Sequence, residues 1–169
     1  GTEFGIKTDG AIINARDASP ICAGLLFGAP AGIIAGLIGG VERWFAVLWG
    51  AGQYTRLACS ISTVLAGVFA AVLRKFMFDN KKPKWYYCLA TATITEVIHM
   101  LMIFLTNMTD ARTAFSFVRT CSLPMIAVNS LAVMLAGLLL SILSGADRKS
   151  ERRDLKKISQ SFQRFLLIC

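Results

Sequence analysis

Long stretches without a single charged residue are the feature that most restricts how this chain can fold. Residues 18–41, 57–73 and 120–146 contain no Asp, Glu, Lys or Arg, and the run at 85–109 contains one acid and one histidine. Crossing a bilayer takes about 20 helical residues, so each run is a candidate membrane span. The runs lack the two-residue alternation of barrel strands. The sequence therefore predicts an all-α membrane protein, a polytopic helical bundle.

Charge is scarce in this chain and unevenly placed. Charged residues make up 17% of the sequence and the net charge is +8, but the basic residues form short clusters without a basic aromatic face. We therefore expect a lipid bilayer as partner and no nucleic acid. The five cysteines are too widely spaced for a zinc site, and no phosphate-binding glycine loop occurs. We expect no metal, no cofactor and no enzymatic activity in this segment.

The basic clusters predict the orientation in the membrane. Residues 74–84 and 148–157 are rich in Lys and Arg, which places both on the cytoplasmic side. Two crossings, at 85–109 and 121–144, connect these clusters. The intervening residues 110–119 are predicted to form an extracytoplasmic loop.

The first apolar run is interrupted by glycine and proline. Pro30 lacks a backbone N–H, and together with Gly28 it predicts a break in the helix. Two halves of about ten residues are each too short to cross the bilayer, so they can form a re-entrant hairpin. The alternative is one kinked spanning helix in which glycines at every fourth position pack against a neighbour.

We expect two parts in the chain. Residues 1–145 form a transmembrane domain that lacks its N-terminal portion. Residues 146–169 form a basic amphipathic juxtamembrane helix, because apolar residues recur there at three- and four-residue spacing. This helix runs into an apolar segment cut short at Cys169, so we expect a longer protein.

Polar residues inside the runs are candidates for function. Glu96 and His99 share a helix face near the middle of their run, where ionisable groups are costly. Glu96 is either a proton-responsive or ligand-contacting carboxyl, or a neutral packing residue hydrogen-bonded to a neighbour such as Asn129. For His99 we favour a structural role.

Two arginines flank the interrupted run. Arg16 and Arg43 are 27 residues apart, so a straight helix would separate them by about 40 Å, whereas a hairpin brings both to one mouth. A guanidinium suits a carboxylate or phosphate. The alternative is that each arginine is an interfacial anchor paired with Asp17 or Glu42.

Two small polar residues lie near the start of the next apolar run, residues 57–73. Cys59 and Ser62 lie on one helix face at the same end as Arg43, so they can line the same pocket. Their spacing fits ordinary helix packing equally well.

The order of several short motifs resembles the LytS/YhcK-type five-transmembrane sensor domain over residues 1–143. The motifs are Asn14-x-Arg16-Asp17, Ala23-Gly24-Leu25-Leu26 with Pro30-x-Gly32, Gly39-Gly40-x-Glu42-Arg43, Ser62-Thr63 with Gly67, Glu96, and Leu123-Pro124 followed by Asn129-Ser130. The family serves as the membrane input module of bacterial signalling proteins, including histidine kinases, cyclases and phosphatases. Two further spans normally precede this region, and a total of five then favours the hairpin.

The resemblance also implies a site and its partners. The ligand-binding positions would be Arg16, Arg43, Cys59 and Ser62, with small anionic carboxylates such as pyruvate as ligands. A further intramembrane polar site would comprise Asn14, Glu96, His99 and Asn129. We expect a multi-pass protein of the bacterial cell membrane that dimerises through a fused cytoplasmic output domain.

The sequence departs from the family pattern at Glu42, where the family often has a histidine before the arginine that is Arg43 here. The alternative function is a solute-binding subunit of a vitamin-type transporter.

Overall fold

The computed structural model describes residues 6–8, 11–13, 16–49 and 53–168, with side chains over 16–46, 48 and 53–145. The elements in chain order are strands β1 (Ile6–Thr8) and β2 (Ala11–Ile13), and helices α1 (Ala18–Cys22), α2 (Ala29–Phe45), α3 (Arg56–Phe76), α4 (Trp85–Thr106) and α5 (Ala111–Ile168). A π-helical turn, Ala23–Phe27, prolongs α1, and short 3₁₀ turns follow α2 and precede α5. The chain divides into two units, 1–137 and 138–169.

Three helices are long and apolar enough to cross a membrane. They are Arg56–Phe76, Trp85–Thr106 and the segment Met108–Gly145. The predicted all-α membrane class is confirmed, with one short antiparallel hairpin, β1 and β2, ahead of the helices. The predicted loop at 110–119 is wrong, because α5 already begins at Ala111. Residues 111–119 contain no glycine or proline to interrupt a helix.

The interrupted run folds back on itself at Gly28. This residue has φ of 117°, in the region that favours glycine, and Pro30 follows in the first turn of α2, where a missing N–H costs little. A Cβ placed on Gly32 would come within 2.6 Å of the Gly24 Cα. In a straight helix eight residues span about 12 Å, so the chain reverses direction and a single kinked span is excluded.

Small residues let α2 pack directly against α3. Cβ atoms added at Gly36 and Gly40 would fall 3.1 Å from the Val64 carbonyl oxygen and 2.9 Å from that of Ser60. Residues later in α2 contact residues earlier in α3, so the two helices are antiparallel. Backbone contact of this kind is typical of membrane helices that associate through small residues.

Arg74 ties the tip of the hairpin to the loop after α3. Its Nη1 donates to the Leu25 carbonyl at 3.0 Å, while Nε and Nη2 donate to the Asn80 carbonyl at 3.2 and 3.1 Å. The tip therefore lies beside the C-terminal end of α3. Because that end carries the basic cluster predicted to be cytoplasmic, the open end of the hairpin is predicted to face the opposite side of the membrane.

A small core joins α3, α4 and α5 near that open end. Its buried members are Ala58, Met100, Ile103, Cys121 and Met125. This core fixes α4 and α5 against the start of α3, where the predicted ligand positions lie.

Candidate functional site

Asp17 lies at the centre of a buried polar cluster. Its side chain is only 3% exposed, and its Oδ1 accepts a 2.6 Å hydrogen bond from the Thr63 hydroxyl. Its Oδ2 lies 2.7 Å from Nδ1 of His99. Thr63 is seven residues past the start of α3, which puts the cluster about 10 Å below that end of the helix. The aspartate therefore joins the hairpin to two spanning helices inside the protein.

His99 connects this aspartate with two further groups. Its Nε2 lies 3.3 Å from the Cys59 sulfur, and its Nδ1 lies 3.7 Å from Oε2 of Glu96. Glu96 has no exposed surface, and its carboxyl oxygens have no hydrogen-bond partner among the residues that the structure describes. The imidazole is thus the hub through which the hairpin, α3 and α4 meet.

Asn129 has a different partner from the one considered for it. Its Oδ1 accepts a 3.0 Å hydrogen bond from the Ala18 backbone N–H, and its Nδ2 donates to the Met125 carbonyl at 3.1 Å. The hydrogen bond between Glu96 and Asn129 considered above is absent from the described contacts. Asn129 instead satisfies one of the N–H groups left open at the start of α1.

The two arginines lie at the open end of the hairpin. Arg16 Nε is 3.3 Å from Oε2 of Glu42, and Arg43 donates through Nη2 to the Thr55 hydroxyl at 2.9 Å. The Arg16 side chain is 9% exposed and that of Glu42 is 39% exposed. A buried guanidinium therefore already holds a carboxylate that has access to the surface.

Burial and neighbouring charges shift the pKa values of Arg16 and Asp17, the two residues that precede the hairpin. Burial lowers the pKa of Arg16, and the Glu42 carboxylate opposes this effect. Burial alone would raise the pKa of Asp17, but interactions with His99, Thr63 and Arg16 hold it below the usual aspartate value. The Asp17 side chain is therefore a carboxylate at neutral pH.

A cavity of about 310 Å³ lies between α3 and α4. Ser62, Thr95 and His99 supply its polar lining, and the remaining lining side chains are apolar. The Ser62 hydroxyl is buried and lacks a hydrogen-bond partner among the residues with described side chains. The oxygen itself has almost no exposed surface, and the exposed lining of the cavity is almost entirely apolar.

The structure brings most of the predicted site residues together, although not in the predicted grouping. Arg16, Arg43 and Cys59 are close enough to interact electrostatically, and Cys59 belongs to the same cluster as His99. Asn14 lies outside the described residues. Sequence reasoning treated Asp17 only as a possible partner of an arginine, and no spacing rule connects it with His99 on a distant helix.

Metal-binding residue types also meet in this cluster. Asp17, Glu96 and His99 present ligand-type atoms within 4.8 Å of one another. The 2.7 Å contact of Nδ1 with Asp17 leaves no room for an ion between these two atoms, so we interpret the group as an ion-pair cluster and assign no metal to it.

This architecture agrees with a comparison against known families. The family model described as the 5TMR of 5TMR-LYT matches residues 1–143. The chain belongs to the 5TMR-LYT family. Its hairpin, its three spanning helices and the buried cluster are therefore features of a bacterial five-transmembrane sensor domain, and the chain is a multi-pass membrane protein.

Curated relatives of this 5TMR-LYT domain are bacterial sensor proteins, and two of them are named as histidine kinases. Sensor histidine kinase BtsS of Escherichia coli K12 is 28% identical over 138 residues, which cover 80% of this chain and 24% of that protein. YpdA of the same strain is 26% identical over 155 residues, covering 92% and 26%. Sensor protein LytS of Bacillus cereus is 30% identical over 150 residues, covering 87% and 23%. No solved structure matches significantly.

The chain spans about a quarter of the length of these relatives. The matched part is a membrane signal-input module, and none of the three relatives named above is a transporter component.

Proposed function

We propose that this domain senses a small carboxylate, such as pyruvate, through Arg16 and Arg43 and passes the signal to a fused cytoplasmic kinase. The observation that carries the proposal is the 3.3 Å contact between Arg16 and Glu42. A guanidinium buried at the mouth of the hairpin, with a second arginine on the opposite arm, has the charge and geometry to bind a carboxylate.

Glu42 occupies the place of the ligand in this proposal. Its side chain is more than four times as exposed as that of Arg16, so it can rotate toward solvent while the guanidinium stays in place. A ligand carboxylate then exchanges with the Glu42 carboxylate. Charge is conserved at Arg16 in this exchange, which limits the desolvation cost of binding.

Cys59 and Ser62 complete the binding site. Both lie near the start of α3, below Thr55, whose hydroxyl holds Arg43. A ligand with a second polar group can accept a hydrogen bond from the unpartnered Ser62 hydroxyl. This arrangement favours small carboxylates that carry a carbonyl or hydroxyl group.

The relatives support an output function. BtsS and YpdA are named as sensor histidine kinases. We propose that this chain is fused to such a kinase and that the receptor dimerises through its cytoplasmic part.

Calorimetry of the full-length receptor tests the ligand class. Arg16→Ala or Arg43→Ala should weaken pyruvate binding about tenfold to a hundredfold, because each removes charge-assisted hydrogen bonds worth about 1.5 to 3 kcal/mol. Lys should restore only part of the affinity. Arg119→Ala, at an exposed position of α5, is the matched control.

Glu42→Gln tests the exchange. Removing the competing charge should tighten binding about threefold to tenfold. If both arginine variants bind as the parent does, the carboxylate site is refuted. If Glu42→Gln weakens binding, Glu42 is not a competitor of the ligand.

A further inference from the structure

Three side chains from the hairpin, α3 and α4 form one line of close polar contacts. The Cys59 sulfur lies 3.3 Å from Nε2 of His99, and Nδ1 of the same ring lies 2.7 Å from Oδ2 of Asp17. Cys59 is a free thiol and is only partly buried, whereas the other two side chains are each 3% exposed. A nucleophile, a base and a group that orients the base therefore stand in the order that activates a thiol.

The Asp17 carboxylate determines which ring nitrogen carries the proton. A carboxylate only accepts hydrogen bonds, so the Nδ1 proton of His99 faces Asp17, and Nε2 is the ring atom that exchanges a proton with Cys59. Thr63 donates to the other Asp17 oxygen at 2.6 Å and fixes the carboxylate. The His99 ring is thus oriented to receive the thiol proton.

Positive charge and an unpartnered donor adjoin the sulfur. Arg16 and Arg43 both interact electrostatically with Cys59. Ser62 follows one turn later in α3, and its buried hydroxyl has no hydrogen-bond partner among the described residues. With His99 it lines the 310 Å³ cavity. The sulfur therefore has positive charge on the side of the hairpin and the Ser62 donor one turn away, and the cavity beyond them has an apolar lining.

We propose that the Cys59 thiol adds reversibly to the carbonyl carbon of a 2-oxo acid whose carboxylate is held by Arg16 and Arg43. This inference rests on the carboxylate site of the proposed function. The sulfur forms a bond to the carbonyl carbon, and the π electron pair of the C=O bond moves onto its oxygen. His99 takes the thiol proton at Nε2 and returns it to that oxygen. The product is a hemithioketal, formed without oxidation, a leaving group or a co-reactant.

The reverse steps release the 2-oxo acid unchanged. The adduct is therefore a way of binding the acid and not a step in its conversion to a product. Asp17 acts here as a positioning residue. The adduct gives the site a basis for selectivity, because a carboxylate without a carbonyl group makes the arginine contacts but cannot bond to sulfur.

Spectroscopy on the parent receptor tests the adduct without any substitution. Pyruvate labelled with carbon-13 at C2 is bound to the full-length receptor in lipid nanodiscs and its solid-state spectrum is recorded. The bound C2 signal should leave the ketone region and appear among tetrahedral carbons. A bound signal that stays in the ketone region would overturn the inference while leaving the carboxylate site intact.

Calorimetry with pyruvate and lactate separates the two proposals. The parent should bind pyruvate at least about tenfold more tightly than lactate, whereas Cys59→Ser should bind both with similar, lactate-like affinity. His99→Gln should also lose the preference, and Cys121→Ser, a buried cysteine in α5, should keep it. Equal affinities in the parent refute covalent capture. Absence of binding by either acid refutes the proposed function itself.

Discussion

The contact between α2 and α3 can be tested at Gly67. A Cβ at this position would overlap the Gly32 carbonyl oxygen and lie 3.2 Å from the Gly36 Cα. These are backbone atoms of the facing helix, which cannot move aside as the end of a flexible side chain can. Gly67→Ala should therefore force the hairpin away from α3.

The expected loss follows from two opposing effects. Overpacking a close contact costs about 1 to 3 kcal/mol, while alanine in place of glycine favours the helix by about 0.5 to 1 kcal/mol. Because the overlap is with backbone atoms, we expect the upper part of that cost, about 2 to 3 kcal/mol, and therefore a net destabilisation of about 1 to 2.5 kcal/mol. Gly145→Ala is the matched control, because a Cβ there meets no atom within 4 Å and only the gain in helix propensity remains.

Thermal unfolding of both variants in one detergent provides the measurement. Gly67→Ala should melt several degrees below the parent, at about 2 to 4 °C per kcal/mol, and Gly145→Ala should melt at or above it. Pyruvate affinity should fall in the first variant alone, because displacing the hairpin moves Arg16 and Arg43. If Gly67→Ala melts with or above the parent, the two helices are not in backbone contact and the packing described above is wrong.

Three further expectations concern stability and topology. Asn129→Leu leaves the Ala18 N–H unpaired and should destabilise the protein by about 1 to 3 kcal/mol in chemical unfolding, whereas Asn129→Asp, which keeps an acceptor, should lose less. Because the folded-state pKa of Asp17 is lowered, its contribution to stability is present above its unfolded-state pKa and is lost as the pH falls through the folded-state value. The melting difference between the parent and Asp17→Asn should thus persist at about pH 5 and vanish in stronger acid. In a cysteine-free background, cysteines at Lys82 and Thr113 should label from opposite sides of the membrane with an impermeant maleimide, and labelling of both in intact cells would contradict the topology.

The parts of the fold that depend on local sequence could be predicted. The length of an apolar run predicts a spanning helix, and Gly28 with Pro30 predicts a break, so both follow from neighbouring residues. The choice of a reversal over a kinked span came from the family resemblance. The helix at 111–119 was not predicted, because the prediction relied on hydropathy. Hydropathy identifies helices that contact lipid, and a less apolar helix such as this one does not stand out from a loop.

The pairing inside the site could not be predicted. Ala18 and Asn129 are 111 positions apart. Asp17 precedes α1 and His99 lies in α4, so the whole of α2 and α3 separates them along the chain. Helical spacing relates residues on one helix face only. It correctly placed Glu96 near His99, which are 3.7 Å apart, but gave no information about which side chain from another helix would face them.

Arg74 gives the hairpin a mechanical role. Its guanidinium binds the carbonyls of Leu25 and Asn80 at once, so the hairpin tip and the loop after α3 share one side chain. Under the proposed function, replacement of the Glu42 carboxylate at Arg16 would shift the first arm of the hairpin, and the Arg74 contacts would pass that shift from Leu25 to Asn80. The hairpin would then couple the ligand site to the side of the membrane that is predicted to be cytoplasmic.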